Sequence, residues 1–420
     1  MTAAAIPSNA ADATGKSKGG PTLFPLRRRT GTAAHHLSKR AVDFGFDDLE
    51  KMTPRQAAMF IAEAQWGSTT FMPCPHCGTL DEHYFRALEL RWKCKCCGKT
   101  FSVTSGTVLA DHKLPLPKIL KMVFSWANGA AGKPALQLRR DWNVSYQTVF
   151  TLLHKFREGL LRGYNVGVLI GVQEVDGADM NGKRYREKRN RPQSGGSKER
   201  PAIPAHLLKP TADQETGEIT GPPKPPKHDK ASRQPVDRRL MLVMRQRGLA
   251  RGAGAVATRV SIALTESAKT VTAMAQRFAS AESRILSDED PAYAGFKKLF
   301  ADHRTVNHSK TFSMPQGVNN NQAESFNRRA RRLAEGIYLS PSNKYLGDYA
   351  CEAAWREDTR RLSTGNRLKH LLHAALSVGE SEWWRGYWQG HNRVEELLIE
   401  GPQKAKTRGK KKGWKAKPPR

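Results

Sequence analysis

Val166-Gly-Val-Leu-Ile-Gly-Val-Gln-Glu-Val175 is an apolar run that leads into Asp176. A run this apolar and β-branched reads as a strand, and the acid after it is delivered to a strand end. Strand signals return at Leu240-Met-Leu-Val-Met244 and from Ala255 to Leu264. A helix is expected near 268–280. Arg284-Ile-Leu-Ser-Asp288 reads as a further short strand, again ending on an aspartate. After the Asn319-Asn-Asn-Gln322 turn, Glu324 begins a basic helix that runs to Arg332, and further helices are expected over 345–396. Strand, hairpin, strand and helix in this order predict an α/β core, a mixed sheet with flanking helices.

The three acids carry the chemistry. Their spacings are 288 − 176 = 112 and 324 − 288 = 36. An aspartate after a strand is, taken singly, more often a turn residue, and Asp179, Glu289 and Asp290 are near neighbours that could be mistaken for ligands. The pattern around Asp176, Asp288 and Glu324 singles them out. Carboxylates that converge from strand ends can chelate two divalent ions roughly 3.5–4 Å apart, the arrangement that phosphoryl transfer uses. Arg331 lies two helical turns after Glu324 on the same face, placed to grip a phosphate.

Outward toward the N-terminus, residues 134–160 fit a helix-turn-helix with Asn143 and Ser145 as turn and cap. Ser145 to Phe156 is the expected recognition helix. Tyr146, Gln147, Thr148, Lys155 and Arg157 are its candidate base or phosphate contacts. Before it, Leu116 to Trp126 reads as a helix. Cys74-Pro-His-Cys77-Gly and Cys94-Lys-Cys-Cys97-Gly give two C-x2-C knuckles separated by sixteen residues. Four thiolates in two such pairs suit a tetrahedral structural Zn2+, with Gly78 and Gly98 at the turns that follow. Cys96 is out of register, and His76 is the less favoured substitute ligand. Arg91, Lys93, Lys95 and Lys99 surround the ribbon. Earlier still, Thr53-Pro54 reads as a helix start within 43–66.

Composition sets the partner. The 420-residue chain holds 70 Lys and Arg against 39 Asp and Glu, a formal charge of +31. Such an excess favours a polyanion, because neutralised phosphates release condensed counterions. An anionic membrane surface is the rival, but no amphipathic anchor is evident. No apolar run approaches the roughly 20 residues of a spanning helix, and the N-terminus lacks an apolar signal core. A cytoplasmic location is therefore expected, where five cysteines within 24 residues mean metal rather than disulfides. The expected organisation is a disordered basic arm over 1–42, a helix and zinc ribbon over 43–110, a helix-turn-helix over 111–162 and the core over 163–400. Pro, Gly, Lys and Ser mark 187–236 as a flexible insertion, and 401–420 as a basic tail.

With these motifs assembled, the chain resembles the ISXO2-like group of bacterial insertion-sequence DDE transposases over roughly 44–395. The resemblance rests on Cys74-Pro-His-Cys77-Gly with Phe101-Ser-Val-Thr-Ser-Gly-Thr107, on Glu174-Val-Asp-Gly177 and on Ser287-Asp-Glu-Asp-Pro-Ala-Tyr293. Val306-Asn-His-Ser309, Asn321-Gln-Ala-Glu-Ser-Phe326 and Trp355-Arg-Glu-Asp358 complete it. It implies a ribonuclease H-like core with catalytic Asp176, Asp288 and Glu324, Mg2+ dependence with Mn2+ as an alternative, and a basic residue at Arg331. His308 matches a motif beside the site, as a DNA contact or a buried structural histidine. The implied activity is cleavage and strand transfer of double-stranded DNA at terminal inverted repeats, by at least a dimer, in a bacterial nucleoid-associated setting. The alternative is a zinc-ribbon and helix-turn-helix regulator without catalysis, or a nuclease that lacks strand transfer. Two departures stand out: Asp176 is followed by Gly177-Ala-Asp179 rather than Glu and an aromatic, and Thr359 stands where Asn is expected.

Overall fold

The computed structural model describes residues 38–180, 238–249, 254–306, 318–391 and 393–404. Most of the expected basic arm, the 187–236 insertion and the tail beyond 404 lie outside the described residues.

Cap chemistry sets the first helices. After the short α1 (Phe46–Glu50), Thr53 accepts a bond from the Gln56 amide while the Gln56 side chain accepts from the Thr53 amide. With Pro54 in the first turn, this capping box starts α2 (Pro54–Trp66) where the sequence predicts. The cysteine segment folds as β1 (Phe71–Pro73), β2 (Leu80–Glu82), β3 (Tyr84–Arg86), β4 (Arg91–Lys93) and β5 (Thr100–Phe101), paired β1–β2 and β3–β4–β5. Next come α3 (Leu116–Asn128), α4 (Ala135–Trp142) and α5 (Tyr146–Gly159). Asn143 turns the chain between α4 and α5 at φ 47°, and the Ser145 hydroxyl accepts from the Thr148 amide.

The placement of α5 differs from the sequence reading. Val149, Leu152, Leu153 and Phe156 are buried as expected, but so are Thr151, His154, Arg157 and Glu158. Only its first turn, with Tyr146 and Gln147, is exposed. Most of α5 is thus a core helix, because neighbouring helices cover its polar side as well.

The first sheet strand also starts later than expected. Gly167 and Gly171 adopt φ of 82° and 75°, the left-handed region that favours glycine. They turn 166–171 off the strand path, and β6 runs Val172–Met180. Asp176 therefore sits within a strand rather than at its end. β7 (Arg239–Arg247) and β8 (Ala255–Ala263) follow, then α6 (Ala268–Phe278), β9 (Arg284–Asp288), α7 (Phe296–Leu299) and β10 (Asp302–Val306). β6, β7 and β8 form an antiparallel meander; β9 runs parallel to β6, and β10 parallel to β9. The sheet order is β10-β9-β6-β7-β8. α8 (Asn321–Arg332), α9 (Leu346–Asp358) and α10 (Thr364–Leu376) complete the core.

Period-two alternation divides the sheet residues between two cores. Leu240, Leu242, Met244 and Val175 pack with α6, whereas Met241, Val243, Ala178 and Met180 join the opposite cluster. That larger cluster also takes in Phe326 and Trp355, residues of α2, α3 and α5, and Met72, Trp92 and Phe101 of the ribbon. Trp66 meets Trp92 and Phe101 edge-on. One hydrophobic interior thus crosses the boundaries expected at 110 and 162. Trp355-Arg-Glu-Asp358 serves this interior: the Arg356 guanidinium donates to the carbonyls of Trp126, Ala127 and Gly129 at the end of α3. Asp358 accepts from the Thr258 amide and hydroxyl on β8.

Candidate active site

The register of two strands governs the acids. β6 and β9 pair as Val172↔Arg284, Gln173↔Ile285 and Glu174↔Leu286, a constant offset of 284 − 172 = 112. Asp176 and Asp288 share that offset, each two residues beyond the last registered pair, Glu174↔Leu286, and the charge of Asp288 acts on Asp176. β9 ends at Asp288 while β6 continues to Met180, which opens the edge of β6 at this level.

The third acid arrives on α8, and α8 is docked by Glu174. This buried carboxylate accepts from the backbone amides of Gln322 and Ala323 at 2.7 and 3.0 Å, satisfying two amides of the helix start. Arg247 donates to the other oxygen of Glu174 and also to Asn319. The Asn320 side chain donates to the Val175 carbonyl at 3.0 Å. One turn after Glu324, Asn327 donates to Asp176 at 2.7 Å. The helix that bears Glu324 is therefore fastened on both sides of Asp176.

The electrostatics follow from this crowding. Burial pushes the Asp176 carboxyl up. The Asn327 hydrogen bond opposes the rise, and the charges of Asp288, Glu266 and Glu324 add to it, leaving the group at about 7. A carboxyl in such surroundings takes a negative charge most readily beside a cation, and hard divalent ions favour oxygen donors of this kind. Asp288 and Glu324 are near enough for their charges to act on Asp176, whereas among the described residues the four cysteines alone hold their ligand atoms within 4.8 Å of one another.

The other candidates divide. Arg331 is exposed and donates to the Asp179 carbonyl at 3.1 Å, close to Asp176 along β6. Glu324, Arg328 and Arg331 form one exposed stripe of α8. His308 lies outside the described residues. Lys155 is half-buried and donates to the Ala110 carbonyl at 3.3 Å. Arg157 lies in the core, 1% exposed, with its guanidinium on Glu352 at 2.7 Å. The structure gives its charge an internal partner rather than the phosphate that the sequence reading expected. Asp290 caps the turn after β9 by accepting from the Ala292 amide. Two residues went unnoticed in the sequence. Asn327 was within reach of inspection, three positions after Glu324 on a helix. Glu266 had no such signal.

The cysteines behave as a unit. Cys74, Cys77, Cys94 and Cys97 hold their ligand atoms within 4.8 Å of one another. Both knuckles repeat one backbone pattern: the Gly78 amide bonds the Cys74 carbonyl, and the Gly98 amide bonds that of Cys94. Gly78 and Gly98 take φ of 75° and 68°, as the turn chemistry predicts. Cys96 is exposed and outside the group. The four thiolates fit a tetrahedral zinc ion. Arg91, Lys93, Lys95 and Lys99 are exposed around them. Among the described residues no helix is long and apolar enough to cross a membrane.

Comparison with known proteins adds a family. Residues 217–358 match the model of the ISXO2-like transposase domain, a stretch that includes Asp288 and Glu324 but begins after Asp176. An uncharacterized protein in transposable element ISH50 of Halobacterium salinarum is 27% identical over 112 residues, 26% of this chain and 36% of that protein. No solved structure matches the chain at the level of significance of that relative.

Proposed function

From the premise that the chain carries an ISXO2-like transposase domain of insertion sequences, we propose that it is a DNA transposase whose Asp176, Asp288 and Glu324 hold two divalent metal ions. The observation that carries this reading is the 112-residue register of β6 and β9, together with the docking of α8 across Asp176. The sheet order, three antiparallel strands followed by two parallel ones, supports a ribonuclease H-like core. Magnesium ions bound there would activate the attacking oxygen and stabilise the leaving oxygen of a strand displacement.

The chain's own residues supply the rest. Asp176, Asp288 and Glu324 offer oxygen ligands from two strands and one helix. Arg331, held against the Asp179 carbonyl, presents charge to a scissile-strand phosphate. The exposed lysines and arginines of the ribbon and the first turn of α5 engage the double helix at the element's ends, with Tyr146 and Gln147 as the groove-facing pair. In a helix-turn-helix the first residues of the second helix reach base edges, so burial of the rest of α5 is compatible with this role. Juxtaposing two element ends calls for at least a dimer.

The test is Mg2+- or Mn2+-dependent cleavage of DNA bearing the flanking inverted repeats. Asp176→Asn, Asp288→Asn and Glu324→Gln should each lose cleavage by about a hundredfold or more while DNA binding persists. Binding without cleavage by the unaltered chain under either ion would favour a non-catalytic DNA-binding regulator.

A further inference from the structure

Glu266 belongs to no motif of the sequence, yet it lies at the acid site. It occupies the loop between β8 and α6, directly before the capping box in which Ser267 and Thr270 exchange hydrogen bonds. That cap fixes where the chain leaves the sheet, and hence where Glu266 sits. A Cβ added to Gly177 would meet the two Glu266 carboxylate oxygens at 2.4 and 2.5 Å. The φ of Gly177 is not in the left-handed region, so the glycine serves here as space rather than as backbone freedom. The carboxylate occupies the volume that a side chain beside Asp176 would fill. The fully buried Tyr293, just past β9, donates to one Glu266 oxygen at 2.5 Å and so fixes the orientation of the group.

Topology brings this group to the same opening as the other acids. Gly177 pairs with Leu242, which faces α6, whereas Asp176 pairs with Val243 on the α8 side. β9 stops at Asp288 while β6 continues to Met180, so among the described residues no strand separates the two faces beside β6 beyond that level. Glu324 on α8 and Glu266 before α6 both act electrostatically on Asp176. Asp288 and Asp176 both lie within electrostatic reach of Glu266. A purely structural acid would gain little from being packed toward other carboxylates.

Resting on the proposed transposase reading, we propose that Glu266 is a fourth metal-ligating carboxylate of the site, admitted by Gly177 and aimed by Tyr293. The departure at Gly177 thereby has a physical reason: any larger residue at this position would displace the extra ligand.

Binding of Mn2+ to the full-length, zinc-loaded chain tests this, read from the electron paramagnetic resonance signal of free Mn2+, with circular dichroism as the check on folding. Asp176→Asn should abolish the site. Glu266→Gln keeps shape and the Tyr293 hydrogen bond but loses charge. It should weaken Mn2+ binding by at least the roughly tenfold that outer partners of metal ligands contribute. Gly177→Ala leaves every charge in place and should weaken binding by displacing the carboxylate; Tyr293→Phe should weaken it less. Wild-type Mn2+ affinity in a folded Glu266→Gln chain, with Asp176→Asn inactive in binding, would overturn the fourth ligand and leave the three-acid site standing. Equal Mn2+ binding by the wild type and Asp176→Asn would overturn both.

Discussion

Glu352 and Asp176 are two carboxylates sunk into the same molecule, and their surroundings drive them in opposite directions. Burial raises Glu352, but Arg157 and Arg356 overcome it, and the Tyr338 hydroxyl adds a hydrogen bond; Glu352 is held below its ordinary range. Burial raises Asp176 too, and there the neighbouring charges are those of Asp288, Glu266 and Glu324, which add to the rise and, against the Asn327 hydrogen bond, leave the group at about 7. Between α5 and α9 the negative charge of Glu352 meets the guanidinium groups of Arg157 and Arg356, and the result is a fixed joint. Around Asp176 on β6 carboxylates meet carboxylates, an arrangement that suits the metal ions proposed above. The contrast separates scaffold from chemistry without reference to any motif.

The largest effect should come from breaking the joint. Arg157→Ala leaves Glu352 buried with part of its compensation gone, and loss of one partner of a buried pair costs about 3–5 kcal/mol. Urea unfolding of the full chain should register this loss; a change below about 1 kcal/mol would show that Arg157 is not structural. Asp176 should behave in the opposite sense. Its folded pKa lies above the ordinary 3.8, so the fold favours its protonated form. That contribution is complete below pH 3.8 and is lost as pH climbs through about 7. In buffer free of Mg2+ but with ribbon zinc retained, wild-type Tm should fall between these limits. Asp176→Asn should flatten that fall and be the more stable chain at pH 8, by on the order of 1 kcal/mol. A wild-type Tm that rises over this window would contradict the raised pKa of Asp176. The smallest effect should come from Asn327→Ala. The Asn327 amide works to lower Asp176, so its removal should move the midpoint of the pH dependence of Mn2+ binding upward, by about half a unit to one unit. A downward shift would mean that Asn327 does not serve Asp176.

Much of the scaffold was legible because its signals are local. The two knuckles announce themselves through cysteine spacing and following glycines, α2 through Thr53-Pro54, and β7 through five successive apolar residues. Asp176, Asp288 and Glu324 were legible only as a pattern, since each relies on the same sheet. The start of β6 was misread because Gly167 and Gly171 interrupt an apolar run whose composition alone is strand-like. β10 went unseen: Asp302-His-Arg-Thr-Val306 lies at the sheet edge, where polar residues are tolerated, and it reads as loop. Arg157 and Glu266 were the harder cases. The partner of Arg157 is 195 residues away in the chain, and Glu266 gains its setting from Gly177 and Tyr293. Periodicity carries no information about contacts at such range.

The shared interior of ribbon, first helices and sheet has a consequence for how such a chain diversifies. Trp92 and Phe101 of the ribbon are packed in the same mass as Phe326 and Trp355, and Arg356 ties the end of α3 to α9. The N-terminal portion cannot be exchanged like a cassette, because excision would bare apolar surface on both pieces. If the proposed DNA-binding role holds, new preferences would arise by substitution at solvent-facing positions such as Tyr146, Gln147, Arg91 or Lys93, one residue at a time, on an unchanged frame.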